Sequence, residues 1–530
     1  MANQDPKSVK DRLVEEVKTY KYVIAVTLMS ILVFSVFFLP EIQTTLYVLL
    51  VASPSLVQWS VVSLVILGVG VYKDNSYIMV GALVVFVGMG LFIGPFVGNI
   101  QAHEEQADRI ESQETLQADN LPETTEQHLR VVPRGVSDTY ADSSMQKSQY
   151  GLSDSDIAYQ DGKYQWSYGV VPDNFFVQLR GNQFGSLYVD MEQTSKSVTL
   201  DESQFENGRG QLWFDSYEYQ SVLNNPTSLH VWETTFNTKD YIAHSTISHD
   251  WEFRLLPIPQ FYAIPQHETV EVMDTDGTVS SLSPEEAQAS DRLDKQNFYP
   301  YDVAMFKVNS MRYKNGVINL WTTKEDVFEV AGLPSSSQNN WPLTVPTKDG
   351  DDFGLTYFVG TEAVNSGSGL YQVWLVDGQT GETSYVQYDE NQIGPARSVE
   401  FVSNKQQVNE LSDATPVSPI PVVSDEQLYW HVKVVPQSET GIIYTAFVNA
   451  DTGDVTLLEG TEPIYQFMTE DEVEQIQSGQ DSGESSGATT QVTVAVTDES
   501  GEIIRTEEVS IPEGGEADIT VNNPTEEEAE

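Results

Sequence analysis

The side chains able to do chemistry are few and scattered. The seven histidines are His103, His128, His230, His244, His249, His267 and His431. The nearest pair, His244 and His249, is five residues apart, which fits neither an HExxH zinc helix nor one helix face. These histidines read as structural or solvated. Asp274-Thr275-Asp276-Gly277 opens like a calcium loop but puts its glycine fourth rather than sixth, and Lys348-Asp349-Gly350-Asp351-Asp352 is similar. Both read as turn acids. There is no cysteine, so disulfides and thiol catalysis are excluded. The chain has no nucleophile elbow, no phosphate-binding loop and no Ser-x-x-Lys beside a companion motif. With 79 acidic residues present, a pair of carboxylates carries little meaning. The sequence therefore assigns no catalytic residue, no cofactor-binding residue and no metal ligand, and an enzyme is not expected.

The elements that would carry any function divide into a membrane block and a large acidic region. Tyr22–Leu39 holds 18 residues without a charge, and Leu56–Tyr72 and Ile78–Val97 are two further uncharged runs. At about 1.5 Å per residue each comes close to crossing a hydrocarbon core of roughly 30 Å. The first run is too long for a signal-peptide core and lacks a small-residue cleavage site. Thr44–Ala52 is apolar but short and closed by Pro54, which predicts an interfacial or half-buried segment. Lys7, Lys10, Arg12, Lys18 and Lys21 precede the first run, and Lys73 lies between the second and third. Positive residues favour the cytoplasm, so three spans place the N-terminus and Lys73 inside and everything after about residue 100 outside. Gly90, Gly94 and Gly98 recur every four residues, a helix-packing face that predicts self-association, with Pro95 interrupting it.

Charge is partitioned by this block. The net charge is −52, and the first 100 residues cancel with six basic and six acidic side chains. Residues 101–530 carry 73 acidic and 21 basic side chains. The same region alternates Tyr, Trp, Phe and Val, which argues for folded sheet rather than an acidic tail. Such self-repulsion is relieved by concentrated salt. The composition resembles proteins of extremely halophilic archaea and their viruses. Nucleic-acid binding is disfavoured because there is no basic patch. Asn225-Pro226-Thr227 and Asn523-Pro524-Thr525 both fail as glycosylation sequons on their prolines.

The expected organisation follows the texture. Residues 1–21 are a cytoplasmic N-terminus, 22–99 a three-span membrane domain, and 100–128 a stalk helix and linker. Residues 129–298 and 299–403 are two extracytoplasmic α+β domains. Within them, Leu129–Pro133, Leu212–Tyr219, Val303–Val308 and Val317–Trp321 read as strands, and Arg134–Ser148 as a short helix. Ile157–Pro172 reads as a hairpin turning at Asp161-Gly162, Val270–Leu282 as a hairpin, and Ser283-Pro284-Glu285-Glu286 as a helix start. Trp251–Tyr262 suits an edge or irregular crossing. Residues 404–427, with Pro416, Pro419 and Pro421, are a linker. Residues 428–478 form a further module ending in a helix over Thr469–Ser478. Residues 479–490 are a Gly/Ser linker and 491–530 a terminal hairpin with an acidic tail.

Three hairpins share one turn chemistry: Val376–Glu382, Asn449–Asp454 and Thr497–Glu502. In each, an Asp folds back on its own backbone and a Gly supplies positive φ. The repeat-turn residues are Asp377, Gly381 and Glu382, then Asp451, Gly453 and Asp454. The first two hairpins resemble PepSY-type domains, best over Trp430–Leu458 and more loosely over Tyr371–Tyr388 and Gln165–Asp190. That resemblance implies an α+β fold of tandem PepSY-like modules, each a helix plus antiparallel hairpin, behind a bundle of three transmembrane helices. It also implies a partner-binding role without catalytic residues. The sequence thus predicts a membrane-anchored, salt-adapted envelope protein with a structural or partner-binding role. Its partners would be the lipid bilayer, an envelope protein and a second copy of the chain, with no nucleic acid. The alternative it implies is an accessory factor of a membrane or secreted peptidase.

Overall fold

The computed structural model describes residues 22–23, 25–27, 29–30, 33–113, 116–335, 340–350, 352–364, 369–469, 489–497 and 503–512. The chain forms two compact units, 1–468 and 469–530. In the second, β19 (Thr489–Thr497) and β20 (Ile503–Pro512) pair as the expected terminal hairpin. The third repeat turn, residues 498–502, and the expected helix from residue 470 lie outside the described residues.

In the first unit, helices α1 (Leu39–Leu50), α2 (Pro54–Tyr72) and α3 (Ser76–Glu111) come first. Two of them, α2 and α3, are long and apolar enough to cross a membrane. Residues 24, 28, 31 and 32 of the first apolar run lie outside the described residues. Thr44–Ala52 lies within and just beyond α1, which starts at Leu39-Pro40 and buries Gln43 and Tyr47 against the sheet region. Helix α3 continues through Pro95 because residues Phe86–Ile93 widen into a π-helix. Proline removes one N–H and crowds the preceding turn, and the wider turn absorbs both. The outer end of α3 enters the folded core, with Ala107 and Ile110 fully buried. The predicted stalk is therefore a core helix.

Four antiparallel sheets follow, each preceded by a helix. Helix α4 (Arg134–Ser144) covers β1 (Tyr150–Leu152), β2 (Asp156–Gln160), β3 (Lys163–Pro172), β4 (Gly185–Asp190) and β5 (Val198–Asp201). Helix α5 (Tyr217–Asn224) precedes β6 (Leu229–Asn237), β7 (Tyr241–Arg254), β8 (Gln260–Asp274) and β9 (Val279–Leu282). Helix α6 (Pro284–Gln288) closes that sheet with Ser283 and Glu286 in a capping box. Helices α7 (Tyr301–Ser310) and α8 (Gly316–Trp321) precede β10 (Phe328–Val330), β11 (Leu343–Asp349), β12 (Asp352–Ala363), β13 (Gly369–Asp377) and β14 (Thr383–Ile393). Helix α9 (Pro395–Ser403) packs on β15 (Ala414–Ser424), β16 (Gln427–Pro436), β17 (Tyr444–Asn449) and β18 (Val455–Leu458), and α10 (Thr461–Met468) ends the unit.

Several expectations change. Val303–Val308 and Val317–Trp321 are helical, not strands. The apparent alternation in the first hides a helical stripe, since Val303, Ala304 and Val308 bury together against Tyr357, Val359 and Trp374. Leu212–Tyr219 forms a 3-10 turn and the start of α5, and Leu129–Pro133 forms no regular strand. Residues 404–427 are no linker: β15 is an edge strand in the fourth core. Its prolines are tolerated because an edge strand has ladder positions that need no N–H. The hairpins at Asp161-Gly162, Asp274–Gly277 and Asp377–Glu382, and the helix after Pro133, form as expected.

One irregularity recurs in all four sheets. The first strand is interrupted in mid-course. It splits into β1 and β2 against β3, and into β10 and β11 against β12. In β6 the register breaks between Val231 and Phe236, and in β15 between Val417 and Ile420. Each time, the later half pairs with the beginning of the next strand and the earlier half further along it, at its end in three sheets and at Ser245–Ile247 in the middle of β7 in the other.

Candidate functional site

The interruptions of the first three sheets open onto one cavity of about 460 Å³. Asp154, Ser155 and Asp156 come from the β1–β2 break, Trp232 and Glu233 from the β6 break, and Trp341 and Pro342 from the β10–β11 connection. The start of α4 adds Arg134, and the start of α7 adds Tyr301 and Asp302. A strand that leaves its ladder frees side chains that would otherwise alternate between the two faces of the sheet, and such breaks re-aim them.

Three arginines converge here: Arg130, Arg134 and Arg209. They are three of the ten arginines between residues 101 and 530, in a region with 73 acids. Arg130 is 7% exposed, donates through Nη1 to the Thr344 carbonyl at 3.3 Å, and lies 4.8 Å over the Trp166 ring. Burial lowers its pKa to about 10, so it stays charged at neutral pH. The Trp166 indole is fixed by its own bond to the Val132 carbonyl at 3.0 Å. Arg209 donates to Ser153 Oγ at 3.1 Å, and its backbone N–H donates to Gln183 Oε1 at 2.9 Å.

Among these cations Asp156 is a buried acid. Its Oδ1 accepts the Ile157 N–H at 2.8 Å and the Tyr301 hydroxyl at 3.1 Å. Burial raises its pKa to about 7, against the opposing pull of those bonds and of Arg134 and Arg209. The floor thus holds a guanidinium and a carboxyl that is half protonated near neutrality. Asp154, Glu233 and Asp302 are exposed at the rim. Trp166, Trp232 and Trp341 supply apolar walls. The Trp341 indole is pinned by the Ala331 carbonyl at 2.7 Å, and Trp232 stacks on His230 with centroids 5.2 Å apart. A compact ligand with an anionic end suits the floor, since a guanidinium fork matches carboxylate or phosphate and flat walls suit a ring or hydrocarbon body.

The residues singled out in the sequence lie elsewhere. Gly90, Gly94 and Gly98 face α2 and the β7–β8 hairpin of the same chain. A Cβ on Gly94 would clash with Met89 O and meet Trp59 Cδ1 at 2.9 Å, and one on Gly98 would meet Gln260 Nε2 at 3.4 Å. The glycines thus pack within the chain, against Trp59, Ser55 and Gln260.

The two described repeat turns share their main-chain bonding but differ in the Thr hydroxyl, which donates back to Asp377 in the first and forward to Asp454 in the second. Asp377 Oδ1 accepts the N–H groups of Gln379 and Thr380 at 3.0 and 2.7 Å. In the second turn Asn449 does this, accepting from Asp451 and Thr452 at 2.9 and 3.0 Å. Asp451 therefore matches Gln379, not Asp377. Gly381 and Gly453 have φ of +70° and +80°, and Glu382 and Asp454 follow with N–H bonds to Thr380 and Thr452.

The histidines are separated in the fold. His244 meets His230 at 2.9 Å and the Tyr217 hydroxyl, whereas His249 faces Tyr47 at 3.2 Å. Asp274 pairs with Arg292, and Lys348 pairs with Glu123 and Glu126. Among the described residues no group of three or more His, Asp or Glu is placed to hold a metal ion. The cavity itself left one signal in the sequence: arginines where arginine is scarce. Nothing local marked them as neighbours.

No family model, no curated protein and no solved structure matches this chain.

Proposed function

We propose that this chain is a membrane-anchored, extracytoplasmic binding protein that takes a compact anionic ligand, or the anionic end of a partner, into the arginine cavity. The observation that carries this is the convergence of Arg130, Arg134 and Arg209 around the buried Asp156 in a region otherwise dominated by acids. The role is binding rather than catalysis. The basic residues ahead of the first apolar run, together with Lys73, support a cytoplasmic N-terminus and an outer sheet region. Acid excess supports a salty exterior, where the rim acids are screened and the buried floor is not.

The test is thermal unfolding of the full chain in detergent and molar salt, with a panel of small carboxylates (amino acids, sugar acids) and inorganic phosphate. A ligand of the cavity raises Tm in the parent, and Arg134→Gln and Arg209→Gln remove the rise while leaving the unliganded Tm close to the parent's. Both arginines are half-buried, so their loss leaves no large void. An equal rise in parent and variants, or none with any anion, overturns the reading.

A further inference from the structure

We propose that the tip of the β7–β8 hairpin is a second membrane element, seated in the outer leaflet beside α2 and α3. This rests on the membrane reading of those helices. The tip, residues 255–259, is held at a fixed depth. Gln58 of α2 donates to the Pro259 carbonyl at 2.9 Å and accepts the Phe261 N–H at 2.9 Å. Gln260 is fully buried between the helices. It donates to the Gly94 carbonyl at 3.0 Å, and its Oε1 accepts the Trp59 indole at 3.3 Å. Gln101 of α3 donates to the Leu256 carbonyl at 3.1 Å.

These contacts set the height. Gln58 lies four residues inside the start of α2 at Pro54, about 6 Å along its axis. Gly94 lies within the uncharged stretch of α3, whose first charged residue beyond it is Glu104. The tip therefore sits at the level where both helices pass from apolar to polar sequence. At that level it bares apolar side chains: Leu255 is 66% exposed, Leu256 73% and Phe253 52%. Trp251, on the same strand, donates its indole N–H to Val51 O at 2.7 Å. A contiguous apolar tip in water would be unfavourable, whereas aromatic and aliphatic side chains at the headgroup boundary are stabilised there. The Leu256 and Pro259 carbonyls of the tip are already paired to Gln101 and Gln58, and its two prolines carry no N–H to satisfy. The occupant of this face is lipid, the acyl–headgroup boundary of the leaflet that the helices enter.

The chain has no cysteine, so a single introduced one is a unique label. An environment-sensitive fluorophore is placed on Leu255→Cys, on Val65→Cys in α2 and on Asp451→Cys in the exposed fourth-sheet turn. The full chain is reconstituted in liposomes in molar salt, with nitroxide-bearing lipids as quencher. The expected result is blue-shifted, lipid-quenched emission at positions 255 and 65, and neither at 451. Quenching at 65 with a water-like signal at 255 overturns the hairpin proposal and leaves the membrane reading intact. A water-like signal at both positions overturns the two together.

Discussion

Asp156 shows what one buried acid does to the whole chain. Its carboxyl rises from an ordinary 3.8 to about 7 because it is buried. Between those values the folded chain keeps a proton that the unfolded chain has released. Its own contribution to stability therefore falls as pH rises from about 4 to about 7 and is flat above that, whereas histidines whose pKa burial lowers, such as His230 and His267, pull the other way below about 6.5. The span is on the order of 4 kcal/mol, at about 1.4 kcal/mol per pK unit. Asp156→Asn keeps the acceptor for the Ile157 N–H and the Tyr301 hydroxyl but cannot ionise. Denaturant unfolding of both should show the variant's stability relative to the parent's rising with pH across this range, and a difference that stays constant would refute the assignment. Anion binding in the cavity should weaken over the same interval in the parent alone, since ionised Asp156 opposes the arginines. A second residue-scale contrast lies in the repeat turn. Asn449→Ala strands two N–H groups and should cost about 1 to 2 kcal/mol, whereas Asp451→Ala should stay within about 0.5 kcal/mol, both read from denaturant midpoints. The sequence pointed to Asp451 because acids in turns look alike; only the register of the strands assigns the role to Asn449.

At the scale of elements, what was readable depended on the range of the contacts responsible. The Asp161-Gly162 and Asp377–Glu382 turns form from residues within six positions, so their chemistry is written locally. The apolar runs of α2 and α3 were equally plain. Helix α7 was not, because VAMFKV fits both a strand and a helical stripe, and its partners Tyr357 and Trp374 are 49 to 71 residues away. The prolines of β15 resembled a linker because nothing nearby says that the strand is an edge. The glycines of α3 were recognised as a packing face, but their partner is Trp59 of the same chain. Gly94→Leu would force α2 and α3 apart, because its Cβ alone would lie 2.9 Å from the Trp59 ring of α2. The expected outcome is a lowered Tm and loss of the Gln260 contacts, seen as new protease cleavage in residues 255–259. Reduced cross-linked dimer with unchanged Tm would instead return the face to self-association.

On the scale of the molecule, the cavity exists only because interrupted strands of three successive sheets face one another across nearly 200 residues of sequence. No window of the chain contains it, which is why the sequence showed scarce arginines without a site. The same long-range view governs stability. Residues 101–530 hold 73 acids against 21 bases, so each acid has on average far less than one cation to answer it. Several bases are already engaged, as Lys348 is by Glu123 and Glu126 and Arg109 by Glu252. The remaining repulsion acts between sheets and depends on screening, with a Debye length near 3 Å at 1 M salt and about 10 Å at 0.1 M. The full chain in detergent should therefore lose thermal stability steadily as sodium chloride is diluted over that range. Sucrose separates two causes of that loss. It strengthens burial by exclusion from the surface but screens no charge. If repulsion governs, sucrose added to the low-salt sample leaves most of the lost Tm unrecovered, while restored sodium chloride recovers it. Full recovery with sucrose would assign the salt requirement to the hydrophobic cores and remove the charge argument.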